Sequence, residues 1–272
     1  MLPYPGRGES WGRSDLTAAV DSVLERLARA SADLASTNRP TSLLYSGGLD
    51  SSLVAHLMPR SCALVLESIG ARGAPDLAAA SEGAAALARP YREHTIGESD
   101  VATAMTRWRS ELLVPEPYRS VRTAVVLALE RAQGPVVLCG QGADELFLGY
   151  AHYERLSSEG AHARRDRDLT RLTREDWPSA ERTARELGLR LGSPFLDARL
   201  VEAVRALPIE WLAPKPTQRK PFLRAVARRA GLPVLLAERP KRALQYGSGV
   251  AKLVRARGER IDRASATGPV AP

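Results

Sequence analysis

The sequence predicts an α/β fold, a doubly wound parallel sheet followed by a helical C-terminal part. Three observations support this prediction. Short apolar runs alternate with amphipathic helical patterns as far as Gly149. The run 136–139 (Val-Val-Leu-Cys) is apolar throughout, as expected of a parallel strand that is buried on both faces. After Gly149 helical patterns dominate. Alternating strands and helices are typical of a doubly wound sheet, whose ligands bind outside the carboxyl ends of the strands.

The individual elements are predicted in chain order from their periodicity and composition. A first helix is indicated by apolar residues at helical spacing over residues 16–36. Strands are predicted at 41–45, 63–69, 91–96 and 136–139. Helices are predicted at 53–58, 75–88, 101–113, 120–132, 177–187, 198–207 and 220–230. No strand is predicted beyond Gly149.

Length and composition restrict the class of protein. The chain has 272 residues, of which 44% are hydrophobic, and this suits one large α/β domain. We expect that domain at 16–257, between an N-terminal extension at 1–15 and a flexible tail at 258–272. No run approaches the ~20 apolar residues of a membrane span, and the N-terminus lacks the apolar region of a signal peptide. Two cysteines, Cys62 and Cys139, form neither a disulfide framework nor a metal site, so a cytoplasmic location is predicted.

The chain is basic, with a net charge of +8 and a pI near 9.9. Such a charge fits either a basic face that attracts nucleotides, pyrophosphate or RNA, or simply an arginine-rich composition. No block of five or six like charges is present, and the densest basic cluster, at 164–168, contains two aspartates. A nucleic-acid partner is therefore not predicted.

The most informative motif is a turn rich in glycine and serine, between the first predicted strand and the helix that follows it. Glycines let backbone N–H groups approach an anion, serine hydroxyls donate, and the helix N-terminus adds partial positive charge, so the turn is suited to phosphate. It is not a Walker A loop, because no lysine follows the second glycine in the required frame. An isolated serine-glycine pair would be an ordinary turn. We predict that the nucleotide phosphates are bound by Ser46, Gly47, Gly48, Leu49, Asp50, Ser51 and Ser52.

A second glycine turn, GQGADE at 140–145, follows the last predicted strand. Carboxylates at the start of a helix often only complement the helix dipole, which is the interpretation we favour for Glu145. Asp144, like Asp50, follows the carboxyl end of a predicted parallel strand. The two carboxylates are therefore predicted to coordinate a Mg²⁺ ion that accompanies the bound phosphates. Further nucleotide contacts are predicted at Gly140 and Gly142.

Both motifs resemble those of one enzyme family. SGGLDSS at 46–52 resembles the PP-loop of enzymes that cleave ATP between its α and β phosphates. GQGADELFLGY at 140–150 looks like the corresponding motif of the synthetase domain of asparagine synthetase and its relative β-lactam synthetase. Shorter matches to the family's S-P-D, PFLD, K-x-x-L-R and R-x-K elements lie in the family's order at 74–76, 194–197, 220–224 and 239–241. The resemblance covers roughly residues 16–250 and implies an adenine nucleotide alpha hydrolase-like fold of the PP-loop type.

The resemblance also implies an activity, that of an AMP-forming carbon–nitrogen ligase that uses ATP and Mg²⁺. A carboxylate, by default aspartate, would be adenylated with release of pyrophosphate. An amine, by default ammonia, would then displace AMP and give asparagine or a related amide. The implied catalytic residues are Lys241, Gln141 and Asp144, with Lys241 neutralising pyrophosphate and the transition state. From composition alone, Lys241 would be a solvated lysine. Asp197 is expected to cap the helix that follows it.

Two departures from the family pattern concern the acceptor and the nitrogen source. Gln141 stands where asparagine synthetases typically have glutamate and β-lactam synthetase has tyrosine, and an amide cannot accept a proton from an attacking ammonium. Residue 2 is leucine, whereas the family's N-terminal glutaminase domain begins with a cysteine nucleophile after Met. We therefore expect the nitrogen to come from free ammonia, from another small amine or from a separate glutaminase subunit.

Two other functions compete with the ligase. A PP-loop tRNA-modifying enzyme would explain the basic pI, but the chain lacks CxxC pairs and an RNA-binding appendage. A non-catalytic, nucleotide-binding partner subunit would be consistent with Gln141. Retention of Asp50, Asp144 and Lys241 favours the ligase over both.

Overall fold

The computed structural model describes residues 13–35, 39–240 and 244–257 of the chain. Its five strands are Thr41–Leu44 (β1), Leu64–Gly70 (β2), Tyr91–Thr95 (β3), Val136–Leu138 (β4) and Arg190–Gly192 (β5). The helices are Arg13–Leu34 (α1), Leu49–Leu57 (α2), Pro75–Ala86 (α3), Glu98–Arg107 (α4), Arg109–Leu112 (α5), Tyr118–Arg131 (α6), Ala143–Leu146 (α7), Ser158–Arg171 (α8), Trp177–Glu186 (α9), Ala198–Arg205 (α10), Ile209–Leu212 (α11), Pro221–Arg229 (α12), Val234–Ala237 (α13) and Leu244–Gly247 (α14). Short 3-10 turns at Ala151–Arg155 and Pro194–Leu196, a π-helical turn at Leu172–Asp176 and a helical segment at 250–257 complete the description.

The sheet is doubly wound and parallel, as predicted. Its strand order is β3-β2-β1-β4-β5, and every neighbouring pair is parallel. The register aligns Leu43 of β1 with Leu66 of β2 on one side and Leu138 of β4 on the other, and all three are fully buried. The chain winds outward from β1 to β3 and then crosses back to β4. The crevice beyond the carboxyl ends of β1 and β4 is thus the switch point where ligands of such sheets bind.

Helices cover both faces of this sheet. Leu43 belongs to an apolar cluster that includes Leu53 of α2 and Leu223 of α12. On the other face, Val137 of β4 packs with Leu129 of α6 and with α9. Burial on both faces explains why the central strands are continuously apolar.

The prediction that no strand follows Gly149 is wrong. Residues Arg190–Gly192 form β5, which pairs with β4 at the edge of the sheet. This strand has three residues and begins with an exposed arginine, so it shows neither a period of two nor an apolar run. The predicted dominance of helices in this part of the chain is confirmed.

Two of the predicted segments are not fully described by the structure. Most of the N-terminal extension at 1–15 and the whole of the tail at 258–272 lie outside the described residues. Within the described ranges, none of the helices combines the length and the apolar character needed to cross a membrane. Cys62 and Cys139 are both buried as free thiols.

Candidate active site

The turn after β1 leads directly into α2. Gly48 is extended (φ −78°, ψ 168°) and caps the helix, which begins at Leu49. The predicted start at residue 53 is therefore wrong, and Asp50, Ser51 and Ser52 lie in the first turn of α2. The first N–H groups of a helix have no intrahelical acceptor, and the helix dipole makes this end partially positive. Both properties favour an anion at the turn.

The serines of the turn differ in their surroundings. Ser51 Oγ lies 3.4 Å from the backbone nitrogen of Ser46 and 3.5 Å from Ser46 Oγ, so these residues brace the turn across its mouth. Ser52 is fully buried, and its hydroxyl lies 3.1 Å from the hydroxyl of Tyr45 beneath the turn. Ser46 and Gly48 line the adjoining pocket.

The second glycine turn packs directly against the first. A Cβ atom placed on Gly140 would lie 3.1 Å from Cβ of Asp50 and 3.3 Å from the backbone nitrogen of Ser51. α7 begins at Ala143, immediately after Gly142, and thus carries Asp144 in its first turn. The structure therefore brings the two predicted sets of residues to the same edge of the sheet.

Gln141 is held between β4 and the turn that follows β5. Its backbone oxygen accepts a hydrogen bond of 2.6 Å from Ser193 Oγ. Its side-chain oxygen accepts a weak hydrogen bond from the Cys139 thiol, with a sulfur–oxygen distance of 3.9 Å. Burial raises the pKa of Cys139 to about 12, so this thiol stays protonated at neutral pH and remains a donor. Both contacts orient the amide at the rim of the site.

Lys220 joins the two turns. Its Nζ atom lies 2.6 Å from Oδ2 of Asp50 and 2.6 Å from Oδ1 of Asp144. The lysine side chain is only 3% exposed, and each aspartate side chain is 18% exposed. One buried ammonium therefore bridges the two carboxylates that the sequence predicts as metal ligands.

A pocket opens beside this ion-pair cluster. It is lined by Ser46, Gly48, Leu49, Asp50, Arg219, Lys220, Arg224, Arg239 and Pro240. Four of these residues are cations, and each has a carboxylate partner. Arg219 pairs with Glu154 at 2.7 Å, Arg239 with Glu82 at 2.6 Å, Arg224 with Glu238 at 4.0 Å, and Lys220 with Asp50 and Asp144. The site therefore combines a backbone N–H array with positive side chains, an arrangement suited to a polyphosphate.

Arg224 fixes the backbone of the cationic wall. Its guanidinium donates to three main-chain carbonyls, those of Arg219, Ala237 and Arg239, with nitrogen–oxygen distances of 2.9 Å to Arg219 and Arg239. The side chain is buried, and its hydrogen bond to Ala237 is buried as well. Arg224 thus ties the start of α12 to the segment that follows α13.

Replacing Arg224 by lysine is expected to lower the free energy of unfolding by about 2–4 kcal/mol, because a lysine cannot reach all three carbonyls and leaves buried acceptors unpaired. Urea denaturation measures this change. Arg228→Lys is the matched control on the same helix. Arg228 is half exposed and pairs with Glu238, so its replacement should cost less than about 1 kcal/mol. Equal losses for the two variants would contradict the role given to Arg224.

Glu145 lies behind the aspartates, against Tyr150. The Tyr150 hydroxyl donates to Glu145 Oε1 at 2.6 Å, and the carboxyl is buried. Burial, assisted by the neighbouring Asp144 carboxylate, raises the pKa of Glu145 to about 7. Glu145 is therefore a buried acid within the fold rather than a complement to the helix dipole, which corrects the interpretation from sequence.

This raised pKa predicts a dependence of stability on pH. The folded state binds the Glu145 proton more tightly than the unfolded chain, so the stabilisation is complete below pH 4.5 and is lost as pH rises to about 7. Between pH 4.5 and about pH 7, the free energy of unfolding of the wild type should fall by about 3 kcal/mol relative to that of Glu145→Gln. The amide keeps an acceptor for Tyr150 and does not ionise. Thermal unfolding from pH 4.5 to 8 tests this, with the exposed Glu159→Gln as control. If the stability of the wild type and of Glu145→Gln changed with pH in the same way, the prediction would be refuted.

The remaining predicted residues are placed as follows. Lys241 lies outside the described residues, directly after Pro240, which lines the pocket. Asp197 caps α10 by accepting from the backbone nitrogens of Arg199 and Leu200, as predicted. Sequence reasoning missed the grouping of the four cations. The signal that pointed to three of them was the match to K-x-x-L-R and R-x-K, in which only Lys241 had been given a role toward pyrophosphate.

Comparison with known proteins gives a consistent result. The family model described as asparagine synthase matches residues 22–167 and 158–267. A protein of Methanocaldococcus jannaschii that carries the name asparagine synthetase (glutamine-hydrolyzing) 1 is 30% identical over 251 residues, covering 78% of this chain and 46% of that protein. Asparagine synthetase (glutamine-hydrolyzing) of Rattus norvegicus is 32% identical over 228 residues, covering 78% of this chain and 40% of the relative. The chain therefore spans less than half the length of each of these relatives.

The solved structure of NMN synthetase from Francisella tularensis aligns with 97% of this chain and 99% of its own. Its TM-score is 0.37 and its sequence identity 12%. This similarity is below the level at which a shared fold can be inferred.

Proposed function

Because the chain belongs to the asparagine synthase family, we propose that it is an ATP-dependent, amide-forming ligase that releases AMP and pyrophosphate. The observation that carries this proposal is the arrangement of the pocket. The N-terminal turn of α2 faces four cationic side chains, and the Asp50 and Asp144 carboxylates meet at its side. A polyphosphate is the substrate chemistry that such a site fits best.

The proposed reaction has two steps. An oxygen of the acceptor carboxylate attacks the α-phosphorus of ATP, and pyrophosphate leaves with the bonding electron pair. The nitrogen of an amine then attacks the carbonyl carbon of the acyl-adenylate, and AMP leaves. Negative charge increases on the leaving pyrophosphate in the first step, and Arg219 and Arg239, fixed by partners at the rim, stabilise it with little reorganisation. Lys241, which follows Pro240, is proposed to assist them.

The same turns provide the proposed nucleotide contacts. The backbone of Gly47, Gly48 and Leu49, with the hydroxyls of Ser46 and Ser51, holds the phosphates from one side. Ser52 supports the turn through Tyr45. Gly140 brings the second turn against the first, and Gly142 lies against Leu196 and Phe195.

The residues present fit a divalent cation that is shared with the nucleotide. Within the described residues no three His, Cys, Asp or Glu side chains form a metal-binding group. Oδ1 of Asp50 is buried and, in the part of the chain that the structure describes, has no hydrogen-bond partner. Carboxylate oxygens suit Mg²⁺, which usually takes one or two of them together with substrate phosphates. Asp50 and Asp144 would hold Mg²⁺, which would supply charge neutralisation to the phosphates when bound.

We propose aspartate and ammonia as the default substrates, with a separate glutaminase subunit as another source of ammonia. The Gln141 amide cannot take a proton from an incoming ammonium ion, so the amine has to arrive neutral, with the lone pair that attacks the acyl-adenylate. Solvent or the departing adenylate then takes the proton.

The direct test measures AMP and pyrophosphate release from Mg-ATP with aspartate and ammonia, each present or absent, and with glutamine replacing ammonia. Release that requires both substrates is the expected result. Release of ADP would refute the adenylation mechanism. ATP binding without any AMP release across a panel of carboxylates and amines would instead indicate a nucleotide-binding partner subunit, and labelling of tRNA from ATP would indicate a tRNA-modifying enzyme.

A further inference from the structure

The Lys220 ammonium lies between the two carboxylates that are proposed to hold the metal ion. Its Nζ atom is 2.6 Å from one oxygen of Asp50 and 2.6 Å from one oxygen of Asp144. These aspartates belong to different turns, and Lys220 comes from the start of α12, far along the chain. This single buried positive charge thus offsets part of the repulsion between the two carboxylates.

The surrounding backbone is built to place this ammonium. Lys220 adopts a left-handed conformation (φ 55°, ψ 49°), which is unfavourable for a residue with a Cβ atom. Gly149 leaves the space that the ion pair fills, because a Cβ atom there would lie 2.0 Å from Oδ1 of Asp144 and 2.2 Å from Cε of Lys220. Backbone strain that persists at one residue indicates that the surrounding structure requires its side chain in that place.

A divalent cation on Oδ1 of Asp50 would share a carboxylate with the Lys220 ammonium, which holds Oδ2, and the repulsion between two cations so close together in a buried site is large. We propose that the Lys220 ammonium and a divalent cation compete for Asp50 and Asp144, so that the metal enters together with nucleotide, whose phosphates receive Lys220 in exchange. The Lys220 side chain needs to move only a short distance to reach the phosphates, because it already lines the pocket together with Ser46, Gly48 and Arg239. This inference rests on the proposed function only in taking the two aspartates as metal ligands.

The test uses Mn²⁺ alone as the probe, with the full chain and no nucleotide. Free Mn²⁺ is measured by electron paramagnetic resonance. Lys220→Met removes the charge and keeps a long unbranched side chain, and it should bind Mn²⁺ at least about tenfold more tightly than the wild type. Lys252→Met is the matched control, since Lys252 is exposed and lies outside the pocket lining. Its affinity for Mn²⁺ should stay within about threefold of the wild type. Equal affinities for Lys220→Met and the wild type would overturn the proposal.

The double variant Lys220→Met with Asp144→Asn identifies the ligands. It should lose the affinity gained by Lys220→Met. If it binds Mn²⁺ as tightly as Lys220→Met does, the metal lies elsewhere and the proposal fails. These results are independent of turnover, so a failure of the proposed ligase activity in the AMP assay would be seen separately.

A second measurement needs no variant and covers the case in which Lys220→Met does not fold. The wild type is treated with an acetylating reagent, and modification of each lysine is followed by mass spectrometry. Lys215 and Lys252 are exposed and serve as internal references. Adding Mn²⁺ together with ATP should change the reactivity of Lys220 relative to both references in a dose-dependent manner, because the ammonium leaves the two aspartates. Reactivity of Lys220 that stays unchanged up to millimolar Mn²⁺ and ATP would refute the exchange.

Discussion

Asparagine in place of Asp50 or of Asp144 is expected to lower the rate of AMP formation by at least about 10³-fold. Each substitution removes a charged oxygen ligand from the proposed metal position and replaces it with a neutral amide. Lys220 keeps one carboxylate partner in either single variant, so the variants should remain folded. Single-turnover measurement of AMP release at saturating Mg-ATP, with whichever acceptor and amine support turnover, quantifies the loss.

Asp166→Asn is the matched control for this change from acid to amide. Asp166 is half exposed and pairs with Arg205 at 3.1 Å, outside the pocket lining. Its replacement should leave AMP formation within about twofold of the wild type. If Asp50→Asn or Asp144→Asn kept more than a tenth of the wild-type rate, that residue would not be an essential metal ligand.

Alanine in place of Gly47 is expected to destabilise the protein by at least about 3 kcal/mol. Gly47 has a left-handed backbone (φ +68°), and a Cβ atom there would lie 2.5 Å from the backbone oxygen of Ala79 in α3. Neither the turn nor the helix backbone can move aside without displacing the other. Urea denaturation should show the loss, and equilibrium binding of ATP should weaken in parallel because the backbone N–H groups are no longer aligned.

Gly48→Ala separates this steric effect from the general cost of replacing glycine. Gly48 has φ −78°, and the nearest atom to a Cβ there would be Ser46 Oγ at 3.3 Å. Its replacement should cost about 1 kcal/mol or less in the free energy of unfolding. A loss for Gly48→Ala as large as that for Gly47→Ala would show that the contact with Ala79 is not the cause.

The central sheet could be predicted because burial on both faces leaves a clear pattern. The run at β4 is apolar at every position, and the run at β1 leads into a turn whose glycines and serines mark its end. β5 could not be predicted in the same way, because pairing with β4 holds a segment that has no strand pattern of its own. The start of α2 was placed four residues too late because the small polar residues at 50–52 were assigned to the turn.

Only part of the candidate site could be predicted, because the pattern of strands locates only the residues that follow a strand. Asp50 and Asp144 each follow a predicted strand, so the topology of a parallel sheet places them at one edge. Lys220 follows no strand and caps a helix, α12, that is held at the site by packing on α1, α2, α11 and α13. Nothing in the spacing of the sequence relates it to Asp50, 170 positions away. Long-range contacts made by helices therefore carry information that local patterns do not contain.

The distance along the chain between Lys220 and its partners also bears on how the protein is made. A ribosome releases the segment containing Asp50 and Asp144 before it releases α12, and domains begin to fold from the N-terminal side during synthesis. Strand pairing in the nascent chain therefore brings two acidic groups together before their counter-charge exists. The sheet edge gains its full stability only when α12 emerges and docks. For this protein, the emergence of α12 rather than the pairing of the strands is the moment at which this edge reaches its final charge balance.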